Sequence, residues 1–375
     1  MGVSLTACLP HDYLDGVFVA RAQSPQGPCV LVLRDGRILD MTSSASTVAG
    51  LIARRQWNAH GVDMGPVEAG LPDGWSLLSP IDLQCVKACG VTFAVSAIER
   101  VIEERARGDS AVAAEIRSGL EATIGSGIRA VVPGSAEAMA LKEALIAQGM
   151  WSQYLEVAIG PDAEVFSKSP VLSTVGHGAP IGVRSDSSWN NPEPEVVLVV
   201  DPAGEVVGAT LGNDVNLRDF EGRSALLLSK AKDNTASCAV GPFIRLFDDT
   251  FGIDDVRHAD VDLVVEGEDN FRLEGANRMT EISRDPLDLV AQTLSEHSYP
   301  DGFVLFCGTL FAPTQDRDEP GRGFTHKEGD LVTIRSTRLG TLANRVTTSR
   351  DAPKWTVGIG EFVRNLAARG LVERI

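Results

Sequence analysis

The sequence predicts an α+β fold, with a small N-terminal α/β unit over residues 1–80 and a larger, β-rich domain over residues 81–375. Three observations carry that prediction. The chain has 375 residues, enough for one large domain and a smaller one. A Gly/Pro-rich passage from Gly61 to Pro80 separates a leading block from the rest. Beyond it, helix-period patterns crowd into residues 94–148 and strand-like runs dominate after 151. That segregation is unlike a run of βαβ units.

In the leading block, Asp15–Arg21 and Cys29–Gly36 alternate or run apolar, and Asp35-Gly36 is a turn signal. They predict a short meander. Thr47 to Trp57 predicts an amphipathic helix with Val48, Leu51 and Ile52 on one face. Cys89–Phe93 reads as a short strand. A helix follows from about Ala94 to Gly108, with Ile98, Val101 and Ile102 apolar and Glu and Arg opposite. Two more helices are expected over 110–123 and 135–148, each with a Ser near its N-cap, and Gly149 is a C-terminal stop. Glu156–Gly160 and Ala163–Phe166 are short strand candidates. Val196–Val200 and Glu205–Leu211 predict a hairpin around Asp201–Gly204. Later strands are expected at 261–265, 271–274, 303–307, 331–334 and 340–346, with helices at about 286–297 and 359–369.

Composition narrows the function. Lys plus Arg number 34 against 51 Asp plus Glu, a net charge of −17. Nucleic acid and anionic membranes call for clustered cations, so neither is an expected partner. No apolar run approaches the length of a membrane span, and no signal peptide is visible, which points to a cytoplasmic protein. Met1–Thr6 fits the bare myristoylation pattern but lacks a polybasic partner, so it is read as chance. The six cysteines are scattered, and Cys85 and Cys89 lie at no standard zinc spacing. They are expected to be buried free thiols. The six histidines form no H-x-x-x-H pair.

The chemistry centres on Asn191-Pro-Glu193-Pro-Glu195, just before the apolar run Val196–Val200. On a strand, residues i and i+2 share a face. Glu193 and Glu195 would project together and repel unless a cation lies between them. Oxygen-only ligation suits hard divalent ions such as Mg²⁺, with Mn²⁺ and Ca²⁺ as alternatives. Asp214, in Gly212-Asn-Asp-Val-Asn-Leu-Arg218-Asp219, supplies a third carboxylate. The competing reading is a solvated edge strand with Pro194 as an edge device.

Several ordered phrases resemble the fumarylacetoacetate hydrolase superfamily. They are Pro161–Lys168, the Glu193/Glu195 pair, Gly212–Asp219, Ser229–Cys238, Gly308-Thr309 and Gly329–Val346. The resemblance spans roughly residues 85–350 and implies a mixed β-sandwich roll. It also implies a divalent metal on three carboxylates, 2-oxo-acid or diketo-acid substrates, and a homo-oligomer, dimer or tetramer. On that resemblance Glu193, Glu195 and Asp214 match the metal ligands and Lys232 the active-site lysine. Arg218 matches the arginine of the D-x-x-x-R-D run, and Gly308 and Thr309 match the turn that holds a substrate carboxylate. One departure matters: Ser96 stands where many members carry a catalytic histidine, while Glu99 of that motif remains. Ser96 is then a substrate-binding candidate. Within the superfamily, Lys232–Arg245 and Gly308–Thr314 are most similar to 2-keto-3-deoxy-pentonate dehydratases.

Such a reaction removes water from 2-keto-3-deoxy-pentonate to give 2,5-dioxopentanoate, and it needs no water-activating histidine. Its C3 protons lie α to a ketone, and a chelating metal stabilises the enolate. Lys232 and Glu99 are both candidates for the base, and Arg218 is either catalytic or a support for neighbouring carboxylates. His177 is read as loop structure, and His326 and Glu328 as parts of a lid. Two rivals stay open: an acylpyruvate hydrolase or oxaloacetate decarboxylase on the same fold, and a non-catalytic 2-oxo-acid binding protein.

Overall fold

Two large sheets, a two-stranded ribbon and the helices around them account for the described chain. A computed structural model describes residues 4–374 apart from 114, 118–126, 130 and 312. The strands, in chain order, are β1 Phe18–Ser24, β2 Gly27–Arg34, β3 Arg37–Asp40, β4 Val62–Pro66, β5 Ser76–Leu77 and β6 Cys85–Gly90. There follow β7 Glu164–Ser169, β8 Ile181–Val183, β9 Asn190–Asn191, β10 Pro194–Val200, β11 Val206–Asp214 and β12 Asn216–Leu217. The last six are β13 Cys238–Leu246, β14 Asp260–Glu266, β15 Arg272–Arg278, β16 Phe303–Phe306, β17 Leu331–Ser336 and β18 Gly340–Thr348. The larger sheet runs β4-β3-β2-β1-β13-β11-β10-β16-β6-β7, with β5 on β1; the smaller runs β15-β14-β17-β18-β8.

β10 sits at the centre for a reason its sequence carries. Every residue of it is buried. Val196, Leu198 and Val200 pack toward Val261, Leu263, Val332 and Ile334 of the smaller sheet. Val197 and Val199 pack the other way, with Val240, Ile244, Val304 and the helix Val48–Ala53. A strand covered on both faces reads as an unbroken apolar run, so the solvated-edge reading of Glu193-Pro-Glu195 fails. Pro194 is tolerated because it opens the strand.

The leading strands join this sheet directly: Phe18 pairs with Arg245 and Val19 with Ile244. Strand β13, which makes that join, is absent from the sequence prediction. Gly241-Pro242 interrupts its apolar run, and a proline ordinarily counts against a strand.

Most helices fall where their caps placed them. The 94–108 expectation becomes Ala94–Ala106, and 135–148 becomes Ala136–Ala147. Ser135 Oγ accepts the Ala138 N–H, and Gly149 takes a φ of 66°. Residues 110–113 and 115–117 are helical, and the remainder of the 110–123 expectation, from 118 on, lies outside the described residues. One call is wrong. Glu156–Gly160 is not a strand but part of the helix Gln153–Ile159, which buries Tyr154, Leu155, Ala158 and Ile159 on one face. Ser152 caps it through the Tyr154 N–H. The apolar Val-Ala-Ile run is too short for periodicity to separate helix from strand.

Among the described residues no helix is long and apolar enough to cross a membrane. All six cysteines are free, and only Cys85 is exposed.

Candidate active site and metal centre

Hairpin register brings the three carboxylates together. β10 and β11 pair with Pro194 opposite Asn213 and Glu195 opposite Gly212, and the Asp214 N–H donates to the Glu193 carbonyl at 3.1 Å. Asp214 therefore faces Glu193 across the ladder, and Glu195 lies two residues along. Carboxylate oxygens of Glu193, Glu195 and Asp214 lie within 4.8 Å of one another, and all three side chains are buried. Glu195 Oε2 accepts the Gly308 N–H at 2.6 Å.

Two lysines reach this cluster. Lys232 Nζ lies 2.5 Å from Glu193 Oε2 and 3.1 Å from Asp214 Oδ2. Lys168 Nζ, on β7, faces Asp214 Oδ1 at 2.9 Å and donates to the Lys232 carbonyl. Burial opposes charge on Asp214, but Lys168 and Lys232 outweigh it and hold its carboxyl below the usual carboxylate range. Burial likewise opposes charge on Lys232, yet Asp214, Glu193 and Glu221 keep its ammonium well above the ordinary lysine range.

The remaining acids are less well compensated. Burial first, then Asp214 and Glu193, push Glu195 well above the usual carboxylate range. Burial also raises Glu164, on β7, and lifts Glu221 to about 7. Glu164, Glu193, Glu195, Asp214 and Glu221 line one cavity of about 30 Å³ with Arg100 and Lys232, while Lys168 reaches Asp214 without lining it. Buried carboxylates in excess, all hard oxygen donors, fit a divalent cation.

A pH prediction follows from the raised groups. A carboxyl whose pKa is higher folded than unfolded holds its proton in the native state, so its stabilisation is present at low pH and lost as pH rises. For Glu221 the window runs from the ordinary carboxylate range up through about 7. In EDTA, the melting temperature is expected to fall between pH 5 and pH 8, and saturating Mg²⁺ to remove most of that fall. A melting series flat in EDTA would contradict the assignment.

Behind the cavity lies a buried ionic chain. Arg100 Nη2 meets Glu193 Oε1 at 2.9 Å, its Nη1 meets Glu103 Oε2 at 2.7 Å, and it also pairs with Glu221. Arg218 Nε donates to Glu103 Oε1 at 2.6 Å and its Nη2 to Glu99 Oε2 at 2.8 Å. Arg117 clasps Glu99 through both carboxylate oxygens, at 2.9 and 2.7 Å. Burial opposes the charge on Glu99, but these two arginines hold its carboxyl below the usual range. Glu99 and Arg218 therefore do not line the cavity; they brace the helix Ala94–Ala106 against it. Of the Glu and Arg opposite the apolar face, Glu99 and Glu103 are buried, at 8% and 3% exposure, whereas Arg105 is exposed.

The other expected contacts are partly committed. Ser96 lines the cavity, but its Oγ donates to the Phe93 carbonyl at 2.8 Å and accepts the Phe93 N–H, closing the first turn of its own helix. Gly308 and Thr309 line it too. Gly308 has a φ of 90°, and a Cβ there would sit 2.0 Å from Thr92 Oγ1, so only glycine fits. Thr309 Oγ1 accepts the Phe311 N–H at 3.1 Å. His177 Nδ1 accepts the Ala343 N–H at 3.2 Å, as loop structure does. His326 sits 3.7 Å from Asp330 and, like Glu328, does not line the cavity.

Arg100, Glu103, Glu164 and Lys168 were not singled out by sequence reasoning. Lys168 and Glu164 fall inside the Pro161–Lys168 phrase, and Arg100 adjoins Glu99, but spacing alone gave none of them a role. Glu164 faces Gly90 across the β6–β7 ladder, and a Cβ on Gly90 would lie 2.0 Å from Glu164 Oε2. A glycine opposite a carboxylate on paired strands was the available signal.

This two-sheet fold, carrying a buried acid triad at a hairpin end, defines the class. The profile of the fumarylacetoacetate (FAA) hydrolase C-terminal family matches residues 142–347, more than half of the chain, and the protein belongs to that family. It is 34% identical over 199 residues to a probable 2-keto-3-deoxyxylonate dehydratase of Haloferax volcanii, covering 53% of this chain and 65% of the relative. It is 33% identical over 183 residues to 2-dehydro-3-deoxy-D-arabinonate dehydratase of Saccharolobus solfataricus, covering 49% and 58%. The matched stretch thus spans less than two thirds of either relative. Among solved structures, 2-keto-3-deoxy-D-arabinonate dehydratase complexed with magnesium and 2,5-dioxopentanoate superposes with a TM-score of 0.63 at 22% identity, covering 88% of this chain and 98% of that one. A fumarylacetoacetate hydrolase from Exiguobacterium antarcticum gives 0.55 at 18%, covering 88% and 99%. These superpositions bear out the α+β, fumarylacetoacetate-hydrolase-like roll.

Proposed function

We propose that the protein is a Mg²⁺-dependent hydro-lyase that converts a 2-keto-3-deoxy-pentonate to 2,5-dioxopentanoate. The observation that carries this reading is the buried triad Glu193, Glu195 and Asp214 with Lys232 Nζ set among its oxygens. Two relatives matched at 33–34% identity bear the names of dehydratases for such acids. Mn²⁺ satisfies the same donor set. Bound there, the cation would polarise the 2-oxo group and neutralise charge that develops on C3 deprotonation.

The chain's own residues do the rest. Lys232 would take a C3 proton on Nζ after relief of its pairing with Glu193 and Asp214 lets its ammonium release a proton to solvent. Glu164, whose carboxyl burial raises above the usual carboxylate range, would give a proton to the departing C4 hydroxyl, which leaves as water. Loss of a C5 proton and gain of one at C3 move the C3–C4 double bond to C4–C5, and the resulting enol tautomerises to the C5 aldehyde by taking a proton at C4 and losing the one on its hydroxyl. Arg100 positions Glu193, and Arg218 and Glu99 hold Arg100's helix through Glu103. Thr309 and Ser96 face the cavity as hydroxyl contacts to substrate, and Gly308 shapes the turn. At about 30 Å³ the cavity takes an ion or a water, so a five-carbon acid must displace lining side chains to enter.

We assign the protein to the cytoplasm as a homo-oligomer with a small-molecule 2-oxo sugar acid as its partner. The net charge of −17 favours neither nucleic acid nor anionic membranes.

A panel of 2-keto-3-deoxy-pentonate and -hexonate stereoisomers, acylpyruvates and oxaloacetate, assayed with Mg²⁺ and with EDTA, tests the reading. Dehydration of a pentonate only with Mg²⁺ is expected. Cleavage of acylpyruvate or decarboxylation of oxaloacetate alone would replace the reaction, and tight binding without turnover would replace the enzyme with a binding protein. Glu164→Gln should lower kcat by about 10²-fold and remove the alkaline limb of its pH profile. An unchanged profile would take the acid role from Glu164.

A further inference from the structure

A second cleft, of about 240 Å³, opens between β1, the 172–179 segment and the 353–357 segment. None of the triad residues lines it. Its walls are largely apolar, with Leu77, Leu172, Val175 and the half-exposed Trp355. Two cations line it, the exposed Lys354 and a second that stands inside the wall. Arg21 is only 6% exposed, and among the described residues no carboxylate lies within ion-pair distance of it. Its Nη1 donates to the Ile81 carbonyl at 3.2 Å, and its guanidinium lies 5.6 Å from the centre of the Phe362 ring.

Asp82, whose charge acts on Arg21 through space without an ion-pair contact, is already committed. Asp82 accepts the N–H groups of Val48, Ala49 and Leu83, at 2.6, 3.0 and 2.7 Å, capping the helix Val48–Ala53. A buried arginine with no carboxylate in ion-pair contact is uncommon, because desolvating it costs free energy that a contacting anion normally offsets. Backbone geometry singles out the same cleft. Leu172 and Ala236, both lining it, hold φ values of 65° and 59°. Non-glycine residues in the left-handed region cost free energy and concentrate at ligand-holding sites.

We propose that this cleft is a binding site for a small monocarboxylate with an apolar body, the carboxylate paired with Arg21 and the body against Leu77, Val175 and Trp355. A guanidinium presents a planar fork that matches a carboxylate. A single buried cation suits a single negative charge; a phosphate dianion would bring a second charge with no buried partner. The volume equals about eight waters, room for a ring or a short chain. Burial also holds the Arg21 pKa below its ordinary value, a direction that an adjacent anion reverses. The site does not depend on the proposed dehydratase activity.

Calorimetric titration with benzoate, hexanoate and benzyl alcohol tests it. Benzoate and hexanoate should bind one site per chain, benzyl alcohol should not, and Glu195→Gln should leave that binding unchanged. Arg21→Met should weaken it by at least tenfold. Trp355→Ala, at a half-exposed position, should weaken it by a smaller factor without unfolding the chain. No benzoate binding at low-millimolar concentration, equal binding by Arg21→Met, or loss of binding in Glu195→Gln would each overturn the site. If Arg21→Met does not fold, Trp355→Ala decides: unchanged benzoate affinity there overturns it equally.

Discussion

Glu195→Gln is expected to lower Mg²⁺-dependent turnover by about 10³-fold or more while leaving the fold intact. The substitution keeps volume and keeps an oxygen for the Gly308 N–H now 2.6 Å away. It removes one charge from a buried triad whose oxygens lie within 4.8 Å. A hard cation held by three carboxylates loses affinity sharply when one becomes a neutral amide. Stability should move the other way. Burial already drives Glu195 toward its neutral form, so a neutral side chain costs the metal-free fold nothing and relieves repulsion from Asp214 and Glu193. The melting temperature in EDTA should hold or rise, and the gain on adding Mg²⁺ should shrink. Undiminished Mg²⁺-dependent turnover in this variant would remove the metal centre from the account.

Lys232→Met should lower kcat by about 10²–10⁴-fold, the range for loss of a positioned acid–base group, with a much smaller change in KM. It carries a second signature. Lys232 pairs with Glu193 and Asp214 in a fully buried setting, and removing one member of a buried ion pair strands the others, at a cost of about 3–5 kcal/mol. The variant should therefore be markedly less stable in EDTA and should recover much of that loss with Mg²⁺. A kcat close to the parent's would move the base role from Lys232. Glu99 is poorly placed to inherit it, because Arg117 and Arg218 occupy its oxygens; Glu164 is the nearer alternative.

How much of this was legible beforehand depends on which interactions are local. The triad was legible because period-2 geometry ties Glu193 to Glu195, and a tight hairpin at Asp201–Gly204 then sets the register that delivers Asp214. Helix ends at Ala94 and Ala136 were legible from caps and apolar spacing. The ionic layer was not. Arg100 and Glu103 read as the solvent face of an amphipathic helix, because sequence shows charge opposite an apolar stripe and not the second surface that buries it. Their partners, Glu193, Glu221 and Arg218, lie more than ninety residues away. β13 was hidden for a related reason: Gly241-Pro242 breaks its local pattern, and only pairing with β1 and β11 makes it a strand. Ser96 was legible as a departure from a histidine motif, but its commitment to the Phe93 backbone is visible only in three dimensions.

Anomalous diffraction from crystals soaked in Mn²⁺ shows whether the three carboxylates hold a cation. The expected result is one strong peak per chain, bonded to oxygens of Glu193, Glu195 and Asp214, with Lys232 Nζ withdrawn from both Glu193 and Asp214. A map with no peak between those carboxylates, and Lys232 still paired with them at saturating Mn²⁺, would contradict it.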